Sequence, residues 1–144
     1  MTEIVRTEEF SRDLKKLKKK YNSLDDDMKV FEKALKCFSQ NPIPETVRIA
    51  GLGEKYAKYP IYKVKSFRCR ALQGKGSRSG MRIIFHLDEA QDKVFLIQIY
   101  HKSTTKNHDI RRILLHLREV AAAAPTAGGP EGSGSMALKE RGGR

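Results

Sequence analysis

The sequence predicts an α+β domain: a small, antiparallel-rich sheet packed against an N-terminal α-hairpin and closed by a C-terminal helix. Two early stretches repeat apolar residues at helical spacing. Three stretches between residues 60 and 102 read as strands separated by turn signals. A last helical stripe follows over residues 107–120.

In chain order, residues 4–6 are expected to form a short first strand. Thr7 then caps a helix whose first turn carries Glu8 and Glu9 and whose end carries Lys15, Lys16, Lys18, Lys19 and Lys20. Acid at the start and base at the end suit the helix dipole. Phe10, Leu14, Leu17 and Tyr21 make its apolar stripe. Asn22-Ser23 is a turn, and Ser23 with Asp26 fits a capping-box-like start to a second helix. Met28, Phe31, Leu35 and Phe38 are that helix's stripe, and Asn41-Pro42-Ile43-Pro44 stops it. Residues 45–59 are read as a connecting segment. Its Gly51-Leu52-Gly53 lacks the later Gly-Lys-Ser/Thr of a phosphate loop, so it is a plain turn.

The strands follow over residues 60–72, 80–87 and 93–102. A Gly-rich basic hairpin loop, residues 73–79, joins the first two, and an acidic turn at 87–92 joins the last two. Alternation places Tyr62, Val64, Met81, Ile83 and Phe85 on the helix-covered face. It leaves Lys63, Lys65 and Arg82 together on the other. Residues 94–100 are almost continuously apolar, which suits a central strand covered on both faces. His86 is expected to pack within its strand or lie at the surface. The final helix presents Ile110, Ile113, Leu114 and Leu117 on one face.

The chain has 144 residues, enough to bury a real core, and residues 1–120 are read as one domain. Residues 121–144 hold six of the eleven glycines and almost no large apolar side chain, so they are expected to be a disordered tail or an appended remnant. The formal net charge is +12, with 29 Lys and Arg against 17 Asp and Glu. Such a balance calls for a polyanionic partner: nucleic acid, an acidic protein or an anionic membrane surface. No run approaches ~18 apolar residues, and the N-terminus has no signal-peptide pattern, so no membrane span is expected. Cys37 and Cys69 are read as buried free thiols in a reducing, cytoplasmic setting. Two cysteines and four scattered histidines imply no metal site and no small-molecule cofactor.

The cations inside the strands point to phosphate chemistry. Cleaving RNA without a metal requires that the ribose 2′-OH lose a proton, that charge on the pentavalent phosphorus be stabilised, and that the 5′ oxygen gain a proton. Fixed cations serve the second need. A lysine of lowered pKa, a histidine or a tyrosine serves the others. Lys63 and Lys65 lie two residues apart on one strand face, and like charges so close disfavour one protonated form. Arg82 offers a planar fork for phosphate oxygens. His101, Lys102 and His108 cluster where the third strand ends and the last helix begins.

In this order of elements, and in the stretches FSRDLKKLKKKY, IYKVK, SGMRIIFHL and KVFLIQIYHKS, the sequence resembles the RelE/ParE family of type II toxin–antitoxin systems. The resemblance covers roughly residues 4–118. Its RelE branch implies a RelE-like fold and a small endoribonuclease that cuts mRNA in the ribosomal A site with basic residues rather than a metal. The expected partners are the ribosome with its mRNA, and an acidic antitoxin protein that binds and neutralises the toxin. Its ParE branch implies instead a DNA gyrase inhibitor, and an inactive member would bind only its antitoxin. By position, Lys63 and Lys65 match the family's paired strand lysines, linked to base function and phosphate contact. Arg82 matches the arginine that stabilises transition-state charge. Lys102 stands where a second arginine is common. His108 falls near a tyrosine or histidine that orients the nucleotide or assists proton transfer, and His101 is the alternative. The proton donor stays open among His101, His108 and Lys102. Lys18, Lys19, Arg68, Arg70, Lys75 and Arg78 are candidate RNA contacts. The sequence departs from the family's pattern in carrying lysine at 102 and a longer loop at 73–79.

Overall fold

A computed structural model of the chain describes residues 2–72, 74, 76 and 78–123. Lys75 and residues 124–144, most of the expected tail, lie outside the described residues. Among the described residues the chain forms β1 (Glu3–Arg6), α1 (Glu8–Lys18), α2 (Leu24–Lys36), β2 (Thr46–Arg48), a 3-10 turn (Glu54–Tyr56), β3 (Ile61–Val64), β4 (Met81–Asp88), β5 (Lys93–His101) and α3 (Ile110–Ala123). The fold is α+β. The chain divides into two compact units, Met1–Leu114 and Leu115–Arg144. The first holds the sheet, α1, α2 and the first turn of α3. The second is described only over residues 115–123, the rest of that helix.

One mixed sheet of five strands runs in the order β1-β5-β4-β3-β2. β1 lies parallel to β5, and the other neighbours are antiparallel. Thr7 fastens α1 to this sheet. Its hydroxyl accepts from the Phe10 N–H at 3.2 Å, capping the helix, and donates to the Leu96 carbonyl at 2.8 Å. α1 and α2 then bury Phe10, Leu14, Leu24, Met28, Phe31 and Leu35 against one sheet face, where they meet Val64, Met81, Ile83, Phe85, Leu96 and Ile99. Tyr21 and Phe38 join this core from just beyond their helices. The five lysines ending the first basic run are exposed, and Lys18 pairs with Asp25 at 2.9 Å.

Several expectations are corrected. The Ser23 side chain makes no cap hydrogen bond. Its hydroxyl donates to Asp27 Oδ2 at 2.6 Å and accepts from the Ala71 N–H at 2.8 Å. Asp27, buried at 5 % exposure, also accepts from the Arg70 N–H at 3.1 Å and from Arg70 Nε at 3.2 Å. This cluster explains why β3 stops at Val64 rather than running to 72. Residues 65–72 leave the sheet and lie along the start of α2. Phe67 and Cys69 are buried there while Arg68 and Arg70 are exposed, so burial alternates as in a strand although the ladder has ended.

The connecting segment 45–59 contains β2, pairing Thr46 with Val64 and Arg48 with Tyr62. Three residues are too few to show a period. Leu87 and Asp88 belong to β4, and the turn shrinks to residues 89–92. Cys37 is exposed, and Cys69 alone is a buried free thiol. α3 begins at Ile110 because Asp109 caps it, accepting from the Arg112 N–H at 3.1 Å. Ile110, expected in the apolar stripe, is 39 % exposed. The helix runs to Ala123 through alanines that favour it. No described helix is long and apolar enough to cross a membrane.

Candidate functional site

The site lies on the sheet face opposite α1 and α2. Ile61 and Lys63 of β3 point there, as do Arg82, Ile84 and His86 of β4. Their neighbours Val64, Met81, Ile83 and Phe85 enter the helix-side core. The far face is therefore partly apolar: Ile61, Ile84 and His86 are buried in it. The cations occupy its end nearest Lys65.

Lys63 is the best-anchored of them. Its Nζ donates to Asn107 Oδ1 at 2.7 Å, and the same oxygen accepts from the His108 N–H at 2.9 Å. One amide thus joins β3 to the chain entering α3. Asp109 adds a second tie, its N–H donating to Gln98 Oε1 at 2.8 Å. Arg112 adds a third, donating to Asp13 Oδ2 at 2.6 Å and to the Ile97 carbonyl at 3.0 Å. The position of His108 beside Lys63 is consequently set by three elements rather than by its own loop.

Electrostatics follow from this crowding. Burial lowers the Lys63 pKa below the ordinary lysine value, and Lys65 and Arg82 lower it further. Burial also lowers the His108 pKa, with Lys63 adding to the effect, so the ring is neutral at pH 7. His108 Nδ1 is buried and has no hydrogen-bond partner among the described residues. Arg82 is only loosely held, with Nη1 3.4 Å from the carbonyls of Lys65 and of Met81. Directly opposite it on β5 stands Tyr100, whose pKa is raised by burial and pulled back by Arg82.

Lys63, Lys65, Arg82 and His108 are thus brought together. Lys102 is exposed beyond the end of β5, its N–H donating to the Gly80 carbonyl at 2.9 Å. His101 is not brought to the cluster. It pairs with Met81 and shares that residue's helix-side face, with its ring stacked on Tyr21 at 5.8 Å. Its Nδ1 accepts from the Ser103 N–H at 3.1 Å, so Nε2 carries the proton it donates to the Ser79 carbonyl at 2.9 Å. Both ring nitrogens are engaged, Nε2 with the 79–81 segment and Nδ1 with Ser103.

Of the proposed RNA contacts, Arg70 is engaged with Asp26 and Asp27, each at 3.2 Å, and Lys18 with Asp25. Lys19, Arg68 and Arg78 are exposed. Lys75 lies outside the described residues. Sequence reasoning missed Asn107 and Tyr100. Asn107 was read as the first residue of the last helix, which begins only at Ile110; its amide beside His108 was the available signal. The face of Tyr100 was hidden by a register shift between Ile84 and Phe85, which changes alternation along β5.

Among the described residues no group of three or more His, Cys, Asp or Glu is placed to hold a metal ion. Two lysines and an arginine of like charge, beside an imidazole whose neutral form is favoured, make an arrangement able to hold phosphate oxygens and pass a proton. No family model matches the chain, and no curated protein matches it.

Proposed function

We propose that the chain is a RelE-like toxin of a type II toxin–antitoxin system, an endoribonuclease that cuts mRNA in the ribosomal A site. The observation that carries this reading is the joining of Lys63 and His108 on Asn107, next to Lys65 and Arg82. A neutral imidazole is suited to accept the 2′-OH proton as that oxygen attacks phosphorus. Lys63, whose ammonium form is destabilised by its neighbours, is suited to return a proton to the departing 5′ oxygen. From the sequence the base role rested with the Lys63–Lys65 pair; the burial of His108 beside Lys63 favours this division of labour. Arg82 and Lys65 meet the charge that builds on the phosphoryl oxygens. The products are a 2′,3′-cyclic phosphate and a free 5′-OH, and no external reagent is consumed. The general basicity docks the protein on ribosomal RNA in the cytoplasm, with affinity falling as salt rises. An acidic antitoxin segment covers the basic surface.

The test is induction in cells followed by mapping of mRNA 5′ ends. New cuts within A-site codons are expected, and Arg82→Ala is expected to reduce them about 100-fold or more, as for loss of a transition-state charge partner. Absence of such cuts, or cutting untouched by Arg82→Ala, overturns the reading. A supercoiling assay that showed gyrase inhibition instead would favour the ParE branch.

A further inference from the structure

The cleavage chemistry leaves unused a patch between β2 and β3. The 3-10 turn and the residues after it present Lys55-Tyr56-Ala57-Lys58-Tyr59. The two tyrosine rings lie 6.1 Å apart at 50°. Lys55 Nζ sits 5.5 Å from the Tyr56 ring centre and Lys58 Nζ 5.7 Å from that of Tyr59. Both lysines are exposed and both rings are half-buried.

The turn is fixed in place. Arg48 Nη2 donates to the carbonyls of Ala57 and Tyr59, each at 3.3 Å. The Tyr59 ring meets His86 edge-on at 5.7 Å, and His86 stacks on Phe95 at 5.6 Å. Ile61 pairs with His86, so Tyr59 reaches the sheet face that carries Lys63. Lys63 lies four positions after Tyr59, roughly 13 Å of extended chain. The acidic neighbours are Glu54 on the turn and Asp88 near Tyr59.

Half-open rings with exposed cations over them match the chemistry of an unpaired nucleobase and its phosphates. The base stacks on the ring while lysines meet the backbone. A duplex offers no free base face to such a platform. We propose that the Lys55–Tyr59 turn is a single-stranded RNA contact, holding the substrate strand beside the Lys63 cluster. The choice of RNA rests on the nuclease reading above; the stacking chemistry does not.

The test is fluorescence anisotropy of the full chain with a labelled oligouridylate and with a hairpin duplex of equal length, without ribosomes. Tyr56→Leu is expected to weaken oligouridylate binding about tenfold and to leave the hairpin unchanged, while Tyr56→Phe retains affinity. Lys55→Gln with Lys58→Gln is expected to lower the salt slope by about 1–2. Oligouridylate affinity within twofold of the parent in both Tyr56→Leu and the double lysine variant overturns the proposal. So does an equal loss for the hairpin. Tyr56-dependent binding without A-site cuts in cells would overturn the nuclease reading alone; A-site cuts without it would overturn this contact alone.

Discussion

Acid should unfold this protein earlier than its carboxylates alone would dictate, and His86 is the reason. The ring is 1 % exposed, pressed against Phe95 and edge-on to Tyr59. Burial pulls its pKa from 6.5 to about 4, although Asp88 nearby resists the shift. Above pH 6.5 the ring is neutral in both the folded and the unfolded chain and exerts no pH effect. Between pH 6.5 and 4 the unfolded chain takes up the proton and the folded chain does not. Stability therefore falls by about 1.4 kcal/mol per pH unit through that window, reaching about 3 kcal/mol at its lower end. The assay is urea unfolding at pH 7.5 and pH 5 for the parent and for His86→Phe, which keeps a ring of similar shape. The parent should lose about 2 kcal/mol more than the variant between the two pH values. Equal losses would refute the argument, because they would show that His86 titrates alike in both states.

Three further outcomes are expected. Asp27→Ala strands the Ser23 hydroxyl and the Arg70 N–H and should cost about 3 kcal/mol, read as a lowered thermal midpoint. Gly80 has φ +88°, and a Cβ there would stand 2.8 Å from His101 Nε2. Gly80→Ala should therefore destabilise by about 1–3 kcal/mol in a chemical melt, more than an ordinary exposed turn glycine. Asn107→Asp places a carboxylate on Lys63 Nζ and should raise the lysine's pKa. The basic limb of the cleavage pH profile should then move to higher pH, with a lower maximal rate; an unmoved limb would remove Lys63 from proton transfer.

Much of the frame was legible without coordinates. Helical spacing gave Phe10, Leu14, Met28, Phe31 and Leu35, all of which are buried. The period of two in β4 correctly separated Met81, Ile83 and Phe85 from Arg82. The site was only partly legible. Lys63, Lys65 and Arg82 followed from alternation over two strands. His101 and His108 could not be told apart, since one ends an apolar run, the other opens one, and nothing local says which way either ring turns. The Ser79 carbonyl, 22 residues away, holds the His101 ring, and Asn107 ties the His108 backbone N–H to Lys63, 44 residues from that amide.

What the sequence determined by itself is what periodicity encodes: which residues share a helix stripe or a strand face, and where the charge sits. What only the tertiary structure decided is whatever depends on partners distant in the chain. Val64 ends β3 because Asp27 and Ser23, more than forty residues earlier, take the backbone N–H groups of Arg70 and Ala71. Lys63 is an unusual lysine because burial, Lys65 and the Arg82 of the neighbouring strand destabilise its ammonium form, while Asn107, 44 residues later, holds its Nζ. A strand pattern records which side of a sheet a residue faces. It holds no record of what will cover that side, and the covering sets burial, pKa and reactivity.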